Sequence, residues 1–313
     1  EVLVKITAAA LNPTDWKTAK WSTSPGSISG CDFAGVVEAL GPDVPEGLRT
    51  VGERVSTFVP GGRTPSTGAY AQYVAAKADL CLHIPDSWTL EEAAQLPIAV
   101  FTTAQCLYQS LNLPSPSSHT TEPIPLLVYG ASSSVGNYVV QFASLAGLTV
   151  YALAGARNFE LIKSLGAKEV YDYKDPEAAA KIKAATGGKI VYAVDCISEL
   201  GSDKIISDAL SDDGGKIACI LPYKGTPKEN ITPIMSLAYD LVVDRPGSPS
   251  YLANGPTYAK LISDLLAGGK LKPSPILVMP KGLESVADGF KYMMDGKVSA
   301  QKVIFRISDT PGL

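Results

Sequence analysis

One stretch limits the possible folds more than any other. Leu126-Leu127-Val128-Tyr129 is a continuous apolar run, Gly130-Ala131-Ser132-Ser133-Ser134-Val135-Gly136 follows it, and Val139, Val140, Phe142, Ala143 and Ala146 then recur at helical spacing. A short apolar run bounded by turn residues is a strand buried on both faces, and a 3.6-residue period behind it is a helix packed on that strand. Gly147 stands where such a helix ends. The pattern repeats, with strands over 149–153, 169–173, 190–197 and 216–221 and helices ending near 165, around 178–185 and near 204–210. This alternation predicts an α/β fold with a Rossmann-type doubly wound parallel sheet.

The flanks read differently. Residues 1–95 are strand-like and loop-rich, with Gly and Pro punctuating runs such as Ala34-Gly35-Val36-Val37 and no sustained helical period. An irregular β-barrel is the expectation there. After 270 the chain shows a strand at 276–278, a helix over 283–294 and a strand over 302–307. The expected division is therefore 1–95 with 271–313 as one domain, and 96–270 as the other, the last strand crossing back into the first. The Pro/Ser-rich segment 113–125 reads as a solvated linker or as a loop bordering the substrate mouth. The chain opens on Glu1-Val2-Leu3-Val4-Lys5-Ile6, already strand-like and without Met, which leads us to expect a longer natural N-terminus.

Composition removes several function classes. With 46% hydrophobic and 19% charged residues among 313, the chain can bury sizeable cores and is not a disordered one. A net charge of −4 argues against a nucleic-acid partner, which needs clustered Lys and Arg. No apolar run approaches the ~18–20 residues that cross a bilayer, so no membrane role is expected. Five cysteines without a C-x-x-C pair suit a reduced, cytoplasmic protein, and only two histidines argue against His-rich metal chemistry.

The chemistry centres on the turn at 130–136. A turn between a buried strand and a helix presents free N–H groups and the helix dipole to a diphosphate. Measured against G-x-G-x-x-G, positions 131 and 133 hold Ala and Ser and only Gly136 is kept, so placement carries the reading rather than the motif. Small residues admit close backbone approach, and three serines add hydroxyl donors. The strand over 149–153 runs on into Ala154-Gly155-Ala156-Arg157-Asn158, with no acid before Glu160 to hold a ribose 2′-OH. Small residues followed by Arg157 suit a 2′-phosphate, with Tyr173 at the tip of the third strand, so NADPH is the expected cofactor. Arg157 as a surface charge and Tyr173 as a packing aromatic are the plainer alternatives.

Several segments occur in one order: Gly30-Cys31-Asp32-Phe33-Ala34-Gly35-Val36-Val37, Gly52-Glu53-Arg54-Val55, Gly68-Ala69-Tyr70-Ala71-Gln72-Tyr73, Leu90-Glu91-Glu92-Ala93-Ala94-Gln95-Leu96-Pro97 and Thr102-Thr103-Ala104. Together they resemble the medium-chain dehydrogenases/reductases over essentially the whole chain. The resemblance implies a GroES-like β-barrel domain plus a Rossmann domain, with the ligand cleft between them. Zinc alcohol dehydrogenases of that family carry His-Glu where this chain has Cys31-Asp32, and a four-Cys lobe that has no counterpart here. A catalytic zinc needs three protein ligands, and no His lies in a suitable motif, so no metal is expected. Cys31 is expected to be packing, and Asp32 to accept backbone hydrogen bonds.

Within the zinc-free branch, Asn12-Pro13-Thr14-Asp15-Trp16-Lys17, the Ser/Thr/Pro loop, Ala154–Phe159, Tyr171-Asp172-Tyr173 and Gly296-Lys297-Val298-Ser299-Ala300-Gln301-Lys302-Val303 resemble fungal trans-acting enoyl reductases. These serve iterative polyketide synthases in lovastatin-type pathways. By that resemblance Asn12, Pro13, Thr14 and Asp15 touch the nicotinamide side of NADPH. Ser132, Ser133, Ser134 and Val135 hold the diphosphate, and Gly155, Ala156, Arg157, Asn158 and Tyr173 the 2′-phosphoadenosine. Ile220, Leu221, Val303 and Ile304 flank the nicotinamide. The implied partners are an enoyl thioester carried by an acyl carrier protein or synthase.

Enoyl reduction needs a donor for the enolate oxygen rather than an acid–base dyad. Lys17 is the candidate cationic donor, to that oxygen or to the cofactor ribose, and Thr103 a candidate hydroxyl donor; a surface lysine and a helix-entry cap are the plain alternatives. Phe101, Tyr108, Met235 and Tyr239 are expected as substrate wall, with 235–239 helical. Three functions stay open: enoyl reduction in trans, reduction of free enones or quinones, and non-catalytic NADPH binding. A monomer and a homodimer are equally compatible with the sequence.

Overall fold

The computed structural model describes residues 1–21, 25–63 and 65–313. Its chain forms two compact units, Glu1–Phe101 with Tyr239–Leu313, and Thr102–Ala238. In chain order the strands are β1 (Val2–Ala10), β2 (Asp32–Leu40), β3 (Arg54–Phe58), β4 (Tyr73–Ala76) and β5 (Leu82–His83) in the first unit. The second unit holds β6 (Pro125–Tyr129), β7 (Thr149–Ala154), β8 (Glu169–Asp172), β9 (Tyr192–Asp195), β10 (Gly215–Cys219) and β11 (Ile231–Met235). Strands β12 (Ile276–Met279) and β13 (Lys302–Arg306) return to the first.

The first unit is built around β1. Its residues alternate inward and outward at the start, with Val2, Val4 and Ile6 buried, as a half-buried strand requires. It runs antiparallel to β2 along its length, but its other edge changes partner: Val2–Lys5 pair with β4, and Ala8–Ala10 with β13. The change coincides with a register shift between Ile6 and Ala8, the irregularity that lets one strand bend toward a second neighbour. The sheet order is β12-β13-β1-β2-β3-β5, with β4 on β1. This is the GroES-like domain.

Two helices appear here that period alone did not reveal. Helix α1 spans Pro13–Trp21, with Pro at its first position and Asp15 in its first turn, both suited to a helix start. Its buried residue is Asp15 and it carries no apolar stripe, which is why a periodicity search passes over it. Helix α2 (Leu90–Ala94) starts on a capping box, Thr89 Oγ1 accepting from Glu92 N and Glu92 Oε2 accepting from Thr89 N.

Every pairing in the second unit is parallel, in the order β11-β10-β9-β6-β7-β8. Helix α3 (Pro97–Ala104) leads into it, and α4 (Ser134–Leu145), α5 (Phe159–Ser164), α6 (Ala178–Thr186) and α7 (Ser202–Ala209) make the crossovers. Leu127, Leu153, Ala193 and Ile217 from four adjacent strands share one buried core. The outer strand β11 corrects the expectation of a helix over 235–239: Met235 ends β11, and a short 3₁₀ turn covers Ala238–Leu241. Parallel pairing with β10 over Gly215–Cys219 holds that segment extended.

The later helices are α8 (Asn254–Ala267) and α9 (Val286–Met294). The expected boundary at 270 differs from the compact units, which assign 239–270 to the first. The reason is visible in α8, where Ser263 Oγ accepts from His83 N of β5 at 3.1 Å. The segment 113–125 is tied down, Thr120 N donating to Ala146 O at 3.0 Å beyond the end of α4.

Candidate functional site

The turn after β6 is rigid from both ends. Gly130 has φ +73°, and the N–H groups of Gly130 and Ala131 both donate to Leu153 O of β7 at 3.0 Å. Ser133, extended at φ −72° and ψ 165°, caps α4 by accepting from Gly136 N at 3.1 Å, which leaves its own hydroxyl hydrogen available to a ligand. A Cβ on Gly136 would stand 2.2 Å from Gly130 O, so only glycine permits this approach of helix to strand end. Ser132, Ser133, Ser134 and Val135 are half-buried around the helix N-terminus. The free N–H groups of that first turn and the flanking hydroxyls could hold a diphosphate.

Four of the predicted cofactor segments converge because parallel strands end together. Ser132–Val135 follow β6, Gly155–Asn158 follow β7, Tyr173 follows β8, and Ile220 and Leu221 follow β10. Gly155 lies 3.7 Å, by its Cβ position, from the Tyr173 ring. Ala156 and Arg157 are exposed, while Asn158 is buried and donates its N–H to Gly155 O at 2.9 Å. Tyr173, 41% exposed, lies 6.5 Å from Tyr129 between ring centroids, and Lys174 Nζ stands 5.8 Å from its centroid. Lys174 is a cation beside Tyr173 that motif reading did not select; its signal was its place directly after a strand-end tyrosine.

Asp195, at the end of β9, was likewise passed over. It is 1% exposed and accepts from Ile197 N at 3.1 Å, Ser198 N at 2.7 Å and Ser202 Oγ at 2.6 Å. Burial raises its pKa, those donors only partly offsetting the loss of water. Ser198 sits at φ +54° and passes the order on, its Oγ accepting from Ile220 N at 3.1 Å. Asp195 thus positions the half-buried Ile220-Leu221 segment.

Thr103 is corrected by its surroundings. It is fully buried, and its hydroxyl donates to Val135 O at 3.4 Å, which makes it a support for the diphosphate turn rather than a free donor. Tyr108 is half-buried in the π-helical turn Gln105–Ser110, and Met235 is 36% exposed at the end of β11.

The first unit holds a buried polar cluster. Asn12, 4% exposed, donates Nδ2 to Asp32 Oδ2 at 2.7 Å, accepts from Lys302 Nζ on Oδ1 at 2.6 Å, and donates its backbone N–H to Asp15 Oδ2 at 2.7 Å. Lys302 Nζ lies 3.3 Å from Asp32 Oδ2, and Ile98 N donates to Asp32 Oδ1 at 2.8 Å. Burial pushes Asp32 up, and Lys302 pulls it back down. Tyr70 OH donates to Asp15 Oδ2 at 2.9 Å, and the Tyr239 hydroxyl lies 2.7 Å from Cys31 Sγ and 3.5 Å from Thr14 Oγ1.

This cluster revises several expectations. The side chains of Asn12 and Asp15 are occupied within the core, so they hold the start of α1 rather than face a nicotinamide. Pro13 is exposed and Thr14 half-buried. Val303 and Ile304 are fully buried in β13, Leu11 N donating to Val303 O at 2.9 Å, so their side chains belong to the core. Phe101 is fully buried against Phe58, with centroids 5.3 Å apart, which makes it core rather than wall. Tyr239 is 7% exposed, with the Arg63 guanidinium 4.8 Å from its ring centroid. Lys17 is half-buried, its Nζ 5.7 Å from the Trp16 ring centroid. Lys302 was missed as a site-organising residue; a lysine opening an apolar strand reads as exposed.

Asp32 accepts a backbone N–H, as expected, and two side-chain donors besides. Among the described residues, no three His, Cys, Asp or Glu side chains gather as a metal-binding set.

A parallel sheet with a capped strand–turn–helix, in one chain with a GroES-like unit, defines the medium-chain dehydrogenase/reductase class. Residues 1–86 match the family described as alcohol dehydrogenase GroES-like domain, and 134–238 that described as zinc-binding dehydrogenase. An alcohol dehydrogenase superfamily protein from Novosphingobium aromaticivorans superposes with a TM-score of 0.80 at 22% identity, covering 97% of this chain and 90% of that one. The CurK enoyl reductase does so with a TM-score of 0.76 at 19% identity, over 97% and 90%. In sequence, a trans-enoyl reductase from Alternaria alternata is 39% identical over 98% of this chain and 91% of its own. Another from Macrophomina phaseolina is 39% identical over 97% and 90%. The chain belongs to the fungal trans-enoyl reductase family.

Proposed function

We propose that this protein is an NADPH-dependent enoyl reductase that reduces the α,β-double bond of a thioester-bound polyketide intermediate, in trans with a polyketide synthase. The observation that carries the reading is the turn at 130–136, whose glycine contact and serine cap fit a diphosphate, in a chain related end to end to trans-enoyl reductases.

The residues present fit the cofactor on structural grounds: a Cβ on Gly136 would collide with Gly130 O, so glycine lets the turn close against the start of α4, and the Ser133 cap leaves a hydroxyl hydrogen for a diphosphate. Ser132–Val135 would hold that group. Arg157 and Lys174, with the face of Tyr173, would hold the 2′-phosphoadenosine end, where the segment after β7 supplies no acid before Glu160 and Asp172 at the end of β8 accepts from Lys174 N. When bound, the nicotinamide supplies hydride to the β-carbon. This chain's own residues position and polarise: Thr103 fixes Val135, Asp195 and Ser198 fix the 220–221 segment, and Lys17 is the cation offered to the developing enolate oxygen or the cofactor ribose.

The test is cofactor oxidation followed at 340 nm (on the order of a hundred micromolar NADPH or NADH) with a crotonyl-pantetheine thioester, a free enone and a quinone, with and without carrier protein. Faster turnover of the thioester with NADPH supports the reading. Faster turnover of free quinones overturns it in favour of a stand-alone reductase, and NADPH binding without any turnover overturns it in favour of a binding protein.

A further inference from the structure

The first unit contains a hydrogen-bonding chain to which the reading above gives no task. Asp15 is 1% exposed, and its Oδ2 accepts from both Asn12 N and Tyr70 OH. Its Oδ1 is buried without a hydrogen-bond partner. The Cys31 thiol faces the same carboxyl, and its Sγ lies 2.7 Å from the Tyr239 hydroxyl, which lies 3.5 Å from Thr14 Oγ1. Thr14 is half-buried, so the series runs from a carboxyl sealed in the core to a residue that reaches the surface. Asn12 N and Tyr70 OH both donate to Oδ2, and the Cys31 thiol is the carboxyl's further side-chain hydrogen-bond partner.

We propose that Asp15, Cys31, Tyr239 and Thr14 form a proton path that delivers, at the Thr14 hydroxyl, the proton taken up by the α-carbon of the reduced substrate. This rests on the enoyl-reduction reading. Hydride addition to the β-carbon leaves an enolate that carries the electron pair of the former double bond. The Thr14 O–H bond breaks as the α-carbon C–H bond forms. The Tyr239 hydroxyl proton moves to the Thr14 oxygen, the Cys31 thiol proton to the Tyr239 oxygen, and the Asp15 carboxyl proton to the Cys31 sulfur. The path gives up one proton and changes no oxidation state; Asp15 is left as carboxylate and regains a proton from water along the same atoms.

The groups facing the path suit proton storage. Tyr70 and Asp32 stand beside Asp15, Lys302 is bonded to Asp32, and Arg63 lies over the Tyr239 ring. Burial, against the opposing donors, holds Asp15 up to about 6, and burial with the Asp15 charge keeps the Cys31 thiol protonated. The 3.5 Å outer link is of the kind that shortens when substrate arrives.

The test uses NADPH and an α-methyl-enoyl pantetheine thioester in D₂O, reading both turnover and the configuration of the deuterated α-carbon. A purely structural cluster does not move the second readout. The wild type is expected to give one α configuration. Tyr239→Phe, which keeps the ring, and Thr14→Val, at a half-buried position, are expected to lower kcat about 10-fold or more and give mixed α configurations. Cys31→Ser restores an O–H link and retains a single configuration, whereas Cys31→Ala does not. One configuration with wild-type turnover in both Tyr239→Phe and Thr14→Val overturns the path alone. No wild-type turnover of the thioester overturns the enoyl-reduction reading and the path with it.

Discussion

Arg157 and Lys302 show how differently two cations work in this fold. Arg157 is exposed beyond β7, where its charge has no acid to answer before Glu160. Hydrogen bonds to a charged group contribute about 1.5–3 kcal/mol. Arg157→Ala is accordingly expected to weaken NADPH binding ~10-fold or more while leaving NADH unaffected, as titration calorimetry would register. Equal losses for both nucleotides would remove Arg157 from the 2′-phosphate site. Lys302 is only 2% exposed and serves Asp32 and Asn12. Removing one partner of a buried pair costs about 3–5 kcal/mol because the other is left without a counter-charge. Lys302→Met should therefore lower the unfolding midpoint sharply, and Asp32→Asn in the same chain should recover part of the loss. Denaturant titration of the two variants decides the matter, and an unchanged midpoint in Lys302→Met contradicts the pairing.

At the scale of elements, the β6–turn–α4 unit is the one whose geometry leaves least freedom. Its N–H groups are bound to β7, and Gly136 lies against a backbone carbonyl that cannot swing aside. Gly136→Ala places a Cβ 2.2 Å from Gly130 O, closer than packed atoms come, so the helix start must shift. Loss of NADPH binding together with a lower thermal midpoint is the expected result, measured by fluorescence titration and calorimetry. Full NADPH affinity in this variant would mean that the turn does not hold the diphosphate. The strand–turn–helix was legible because period and turn chemistry agree there. Helix α1 was not, since burying a carboxylate rather than an apolar stripe leaves no period to read. Strand β11 was also hidden, because an edge strand with Pro233 in it looks like neither a strand nor a helix.

For the molecule as a whole, the buried carboxyl of Asp15 makes stability depend on pH in a defined direction. Its pKa rises from 3.8 to about 6 because burial disfavours the charge, with the donors around it partly opposing. The folded-state value lies above the unfolded one, so its contribution is fully present below pH 4 and is lost as pH rises through about 6. At 1.36 kcal/mol per unit, the shift amounts to about 3 kcal/mol. Asp15→Asn removes this titration. The difference in unfolding midpoint between wild type and Asp15→Asn should therefore move against the wild type between pH 4 and 7.5. A pH-independent difference would show that Asp15 does not titrate as a buried acid.

The amino-acid sequence by itself determined the alternating strands and helices, the strand–turn–helix around Gly130–Gly136 and the family, because period, turn residues and ordered segments are local properties that persist in any context. Tertiary structure alone decided which of the selected residues stand available to ligands. Arg157, Tyr173 and Ser132–Val135 lie where parallel strands end and stay accessible. Asn12, Asp15, Thr103, Val303 and Ile304 are enclosed, because distant segments of the chain supply their partners. Whether a polar side chain meets a ligand or a buried neighbour depends on those long-range pairings, such as Lys302 with Asn12, and no local pattern records them.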